Sequence, residues 1–284
     1  MTGNFLVLQS DFGLEDGAVS AMYGVAHTVS NDIEISDLTH NIPPYDIWVA
    51  SYRLYQTVKY WPKGTVFVSV VDPGVGSDRR SIACLTKSGH YIITPDNGSL
   101  SHIQYYEGIE KVIAIDEVKS RLPHSEESHT FHGRDVYAYN GARLASKQIT
   151  FNELGHPIEL DSIKQLEIIE AKNENNILSG SIDVLDIRFG SLWTNIPLDY
   201  LKQANYSHGD QIMVSIFHNE NKVYQNIIKF VRSFADVNIG EPLVYVNSLV
   251  NIGIAVNQDS FSKLYHIGTG KEWTIQLSKV SFNL

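Results

Sequence analysis

Cysteine is almost missing: Cys84 is the single thiol in 284 residues, so no disulfide can form within the chain and a reducing compartment is the simplest home. Basic charge is in deficit too. Lys plus Arg total 22 against 32 for Asp plus Glu, a net charge of −10, which argues against a nucleic-acid partner, since that needs a basic face. A cationic small ligand is compatible with such a balance. No apolar run reaches the roughly 18 residues of a spanning helix, and Met1-Thr2-Gly3-Asn4 shows no basic segment ahead of an apolar one. A soluble, cytoplasmic protein with no membrane partner is expected. Also missing are Gly-x-Ser-x-Gly, the elbow of serine hydrolases, and any internal repeat.

What is present centres on Val70-Val71-Asp72-Pro73-Gly74-Val75-Gly76-Ser77-Asp78-Arg79-Arg80. The run 64–71 before it is β-branched and apolar, the pattern of a strand buried on both faces of a parallel sheet. A carboxylate then follows at once, with a Pro-Gly turn after it. Strand tips of this kind are where open α/β sheets place ligands.

The first half alternates strand and helix: strands over 4–9, 33–38, 64–71, 81–86 and 90–94, helices over 15–29, 45–60, 98–106 and 135–146. This order predicts a doubly wound, mainly parallel α/β sheet with right-handed crossovers. A polar segment over 149–176 separates it from short strands at 178–187, 211–217, 223–228, 243–246 and 252–256, which predict a smaller β-barrel with a helix at 198–203. The domains expected are 1–170, an α/β unit with its linker, and 171–284, the barrel.

Several residues compete for chemical roles. Asp11 lies just past the first strand, where a carboxylate accepts ribose hydroxyls or serves as a helix N-cap. Asp11-Phe12-Gly13 matches the kinase metal-binding tripeptide, but no glycine-rich loop and lysine precede it. His124, His129 and His132 lie close together, yet their spacing fits no common zinc pattern and no cysteine assists. No metal and no cofactor are expected.

Ser10-Asp11-Phe12-Gly13, Val71-Asp72-Pro73-Gly74-Val75-Gly76 with Arg79-Arg80, Pro95-Asp96-Asn97-Gly98, Thr130-Phe131-His132-Gly133-Arg134-Asp135, Phe189-Gly190-Ser191-Leu192-Trp193-Thr194-Asn195-Ile196 and Asn247-Ser248 occur in this order. Together they resemble the S-adenosyl-L-methionine (SAM) hydroxide adenosyltransferases, the adenosine-forming SAM hydrolases related to the SAM-dependent fluorinase and chlorinase. The resemblance implies hydrolysis of SAM to adenosine and L-methionine, in a homotrimer with active sites between subunits. It also implies a water-activating triad at Asp72, Arg79 and His132, with Arg80 an alternative to Arg79. Asp11 and Tyr45 would bind substrate, Asp11 at the ribose; Asp16 and Ser248 would face the methionine end. Asp186, Phe189, Ser191, Trp193 and Phe234 match positions around substrate in the halogenating relatives. Three departures from those relatives stand out: their tyrosine is Asp72 here, their halide-holding serine is Gly133, and their arginine beside the methionine carboxylate is Leu249. A halogenase and a non-catalytic SAM or adenosine binder are the alternatives.

Overall fold

The computed structural model describes residues 4–280. The chain folds as two compact units that divide between Leu166 and Glu167.

In the first unit the elements run β1 (Phe5–Ser10), α1 (Ala18–Val29), β2 (Glu34–Thr39), α2 (Ile47–Val58), β3 (Val66–Val70), β4 (Ser81–Thr86), β5 (Tyr91–Pro95), α3 (Ser101–Tyr106), β6 (Ile109–Ile115), α4 (Tyr139–Ala145) and β7 (Gly155–Ile158). They form one seven-stranded sheet in the order β2-β1-β3-β5-β4-β6-β7. The pairings among β2, β1, β3 and β5 are parallel. Those of β4 with β5 and β6, and of β6 with β7, are antiparallel. A tight turn explains the switch: Gly89, at φ +87°, donates its N–H to the Thr86 carbonyl at 2.9 Å and returns the chain beside itself, as only an antiparallel pair permits.

Alternation along β1 assigns the two faces. Leu6 and Leu8 pack with Met22, Val68, Val136 and Ala142 on the side of α1 and α4, while Val7 packs with Leu54, Phe67, Ile92 and Ile103 on the side of α2 and α3. With both faces covered, β3 is buried at every position, as its apolar run requires. Cys84 sits in β4, fully buried, and burial pushes its thiol up to about 12.

Two helices start later than the sequence implies, because polar side chains cap the approach. The Asp16 carboxylate accepts the Ala18 N–H at 2.8 Å before α1, and Asp46 accepts the Val49 N–H at 2.9 Å as N-cap of α2. Strands β6 and β7 were not anticipated, and β7 lies inside the polar segment that reads as linker.

The second unit contains β8 (Lys172–Glu174), β9 (Ile177–Leu185), β10 (Leu192–Pro197), α5 (Leu198–Gln203), β11 (Gln211–His218), β12 (Asn221–Phe230), β13 (Pro242–Val246), β14 (Asn251–Val256), α6 (Phe261–Tyr265) and β15 (Gly270–Lys279). Their order is β10-β14-β13-β12-β11-β15-β9-β8, with β10 also paired to β9. That pairing closes a seven-stranded barrel around Leu178, Ile182, Val214, Ile216, Ile254 and Ile275. Closure removes the free edges that an open sheet would expose.

Helix α4 approaches the sheet through Gly141, where a Cβ would fall 2.5 Å from Val68 Cγ2 and 3.0 Å from Leu6 Cδ1. Gly141→Ala will therefore destabilise the first unit by about 1–3 kcal/mol through overpacking, despite alanine's better helix propensity. A lowered urea midpoint is the expected reading; an unchanged or raised one would show that the helix simply lifts away.

Candidate active site

Asp72 follows the buried end of β3, and its side chain is 5 % exposed. The chain then reverses in a tight loop, with Val75 N–H donating to the Asp72 carbonyl at 3.2 Å and Ser77 N–H to that of Gly74 at 3.1 Å. Seven residues on, Arg79 returns to the carboxylate. Its Nε donates to Asp72 Oδ1 at 2.9 Å and its Nη2 to Oδ2, a two-pronged, charge-assisted pairing. Arg79 Nη1 donates to Ser81 Oγ at 3.0 Å and faces Glu117 Oε1 at 3.5 Å. The Tyr137 hydroxyl lies 3.0 Å from Ser81 Oγ and 3.5 Å from Asp72 Oδ2. Burial opposes the guanidinium charge, but the hydrogen bonds to Asp72 and the nearby negative groups hold its pKa above the ordinary arginine value.

Arg80 points elsewhere. Its Nε and Nη2 donate to Asp96 Oδ2 at 2.9 and 2.6 Å, because adjacent residues of an extended segment face opposite ways. The geometry thus places Arg79, and not its neighbour, against Asp72.

His132, buried, precedes a π-helical turn over Gly133–Ala138. Such turns are rare and concentrate at functional sites. Its Nδ1 lies 3.0 Å from Arg79 Nη2 and 3.8 Å from Glu117 Oε2, and its Nε2 lies 2.9 Å from Arg121 Nη2. Burial, together with the two guanidinium groups, lowers the imidazole pKa below its usual value of 6.5, against the opposing pull of Glu117 and Asp72. The ring is therefore neutral at pH 7.

A pocket of about 270 Å³ opens in front of this cluster, lined by Asp11, Tyr45, Asp72, Phe131, His132 and Gly133 among others. Arg79 stands behind Asp72, outside the lining. Asp11 Oδ2 accepts the N–H of Tyr45 at 2.9 Å, and Tyr45, exposed, sits at φ +67°. Asp16 is not on this wall; its carboxylate accepts the Ala18 N–H at the start of α1.

The second unit has a pocket of about 560 Å³ of its own, where Phe189 and Phe234 join Arg188, Asn257, Asp259 and Ser260. Nearby, Trp193 Nε1 donates to the Tyr245 hydroxyl at 3.1 Å, Ser191 also bonds that hydroxyl, and the Phe234 ring lies 5.1 Å from the tyrosine ring. Asp186 accepts the Arg188 N–H at 3.2 Å and stabilises its own turn. Ser248 is exposed, whereas Leu249 is buried. Among the described residues no group of three or more His, Cys, Asp or Glu side chains is placed to hold a metal ion.

Residues 6–155 match the SAM hydroxide adenosyltransferase N-terminal domain, and residues 180–274 match the C-terminal domain of the same name. The chain belongs to the SAM hydroxide adenosyltransferase family. It is 34 % identical over 271 residues to an (R)-S-adenosyl-L-methionine hydrolase of Methanocaldococcus jannaschii, spanning 93 % of this chain and 92 % of that protein. A fluorinase of Actinoplanes sp. is 26 % identical over 95 % of this chain and 96 % of its own. The crystal structure of an uncharacterized conserved protein from Thermotoga maritima matches with a TM-score of 0.85 at 29 % identity, covering 96 % of this chain and 99 % of that one.

Gly133 shows how tightly this member of the family is built beside Asp72. A Cβ there would lie 3.1 Å from Phe12 Cζ and 3.1 Å from Val70 Cγ1. Gly133→Ser will lower thermal stability by about 1 kcal/mol or more, seen as a drop of several degrees in Tm; a Tm equal to the parent's would mean that Phe12 yields freely.

Proposed function

We propose that this chain hydrolyses SAM to adenosine and L-methionine by in-line attack of water on C5′. The observation that carries the reading is Asp72, gripped from behind by Arg79 and facing, with His132, the pocket that also holds Asp11. Breaking C5′–S releases a neutral thioether from a sulfonium, so no general acid is required; the need is for a nucleophile aligned behind C5′. Asp72 Oδ1 accepts one Arg79 donor and keeps a lone pair for the water, while Oδ2 takes the other and also faces the Tyr137 hydroxyl. Arg79 supplies the positive field that favours developing hydroxide. His132, with both ring nitrogens facing guanidinium groups, holds Arg79 in place and is not the base, and the released proton passes by way of Asp72 to solvent.

Asp11 binds the ribose hydroxyls in this reading, with Tyr45 beside it. Asp16 and Ser248 serve the methionine end, and Asp186, Phe189, Ser191, Trp193 and Phe234 are the substrate-binding group of the second domain. The working domains are 1–170, which carries the linker beyond Leu166, and 171–284, the assembly a homotrimer, and the compartment the cytoplasm. A halide at about 4 Å from ionised Asp72 would be repelled by roughly 4 kcal/mol at an effective dielectric of 20, about three decades of discrimination before Arg79 offsets part of it. A neutral water escapes most of that penalty, which supports hydrolysis over halogenation.

Incubation of the purified, metal-free protein with SAM and chloride will give adenosine and L-methionine by chromatography; 5′-chloro-5′-deoxyadenosine as the main product, or no turnover, would sink the reading. Asp72→Ala, Arg79→Ala and His132→Ala will each lower kcat by about 10²-fold or more with little change in KM, whereas Arg80→Ala will leave kcat near the parent value. The acid limb will follow the depressed histidine. Because the neutral ring is the working form and burial disfavours its protonation, kcat will hold as the pH falls through 6.5 and decline only below it; a half-maximum at or above pH 6.5 would contradict this assignment.

A further inference from the structure

Behind Asp11 runs a hydrogen-bonded chain that is buried at Ser10 and His40 and open to solvent at Asp37. Ser10 Oγ lies 2.7 Å from His40 Nδ1, His40 Nε2 lies 2.9 Å from Asp37 Oδ1, and Asp37 Oδ2 accepts the Tyr23 hydroxyl at 2.5 Å. The residue types are those of a Ser-His-Asp hydrolase triad, but the imidazole is reversed, with Nδ1 on the serine and Nε2 on the acid, and the serine is 0 % exposed, so no acyl carbon can reach it.

The direction of each bond is fixed by its neighbours. The Asp37 carboxylate can only accept, so His40 Nε2–H and the Tyr23 hydroxyl both donate to it. Nδ1 is then the acceptor for the Ser10 hydroxyl, whose oxygen also receives the Phe12 N–H at 3.2 Å. Every donor therefore meets an acceptor in one tautomer. His40 grips the loop after β1 a second time through its backbone, since the Gly13 N–H donates to the His40 carbonyl at 2.8 Å. The segment pinned at both ends is Ser10 to Gly13, and Asp11 is the residue it presents. Asp11 Oδ2 is held by the Tyr45 N–H, so the orientation of the Ser10–Gly13 turn decides where Oδ1 points.

We propose that Tyr23, Asp37, His40 and Ser10 form a positioning chain that fixes the Asp11 carboxylate for a vicinal diol, and hence sets selectivity for ribose over deoxyribose. The inference rests on the reading of Asp11 as the ribose ligand. His40 and Ser10 touch no reacting atom; they act through Asp11 alone.

The test compares competitive inhibition of SAM hydrolysis by adenosine and by 2′-deoxyadenosine in the parent and in Asp11→Ala, Ser10→Ala, Asp37→Asn and Tyr23→Phe. The parent will prefer adenosine. Ser10→Ala and Asp37→Asn will shrink that preference roughly tenfold, raise KM for SAM and leave kcat within about threefold. The double variant Ser10→Ala with Asp11→Ala will be no worse than Asp11→Ala, because both remove the same interaction. Tyr23→Phe, the mildest change, keeps the test open should a buried variant fail to fold; it will shrink the preference in the same direction by a smaller factor. Weakening of both nucleosides equally, additivity with Asp11→Ala, or an intact preference in the chain variants would overturn the proposal while leaving Asp11 its role. A parent protein that does not distinguish the two nucleosides would overturn the reading of Asp11 and this proposal with it.

Discussion

The pairing of Asp72 with Arg79 is the constraint on which the first domain turns. Both side chains are nearly buried, at 5 % and 10 % exposure, and a buried charge is tolerated only when its partner and its remaining hydrogen-bonding groups are all satisfied. That condition explains the surrounding shell. Glu117 and Ser81 take the far side of the guanidinium, and Tyr137 closes the gap between Ser81 and the carboxylate. The seven-residue spacing follows from the same requirement, since the loop must reverse within a few residues of the strand tip for the arginine to return. Pro73-Gly74 and Gly76, at φ +78°, make that reversal possible.

Much of this was legible in the residues because the strands of a parallel core read as unbroken apolar runs. The strand leading to Asp72 is of that kind, and helix α5 of the barrel unit also falls at 198–203, where it is expected. The groups packed behind Arg79 and His132 were not legible. Glu117 and Arg121 follow β6, a strand whose Glu110 and Lys111 interrupt the apolar pattern, and nothing local links them to a histidine beyond them. Tyr137 lies within the π-helical turn that follows His132, a departure from ordinary helix geometry that no residue pattern announces. Barrel strands β10 and β15 mix polar and apolar residues because one face of each lines the core and the other does not.

The ambiguity between Arg79 and Arg80 shows what geometry adds to a motif. Side by side, the two are indistinguishable in composition; in space one meets Asp72 and the other meets Asp96, so a single step in an extended segment separates two ion pairs on opposite faces. Each carboxylate is thereby neutralised locally, and the acidic excess of the chain is carried mostly at its surface.

The position of Cys84 has a practical consequence. A thiol sealed within β4 and pushed up to about 12 is almost never a thiolate at neutral pH, so it is closed to alkylating reagents and to peroxide. Any second cysteine introduced at the surface would be the sole anchor for a maleimide dye, which makes this chain a ready host for fluorescence labelling at a chosen residue without first removing its native sulfur.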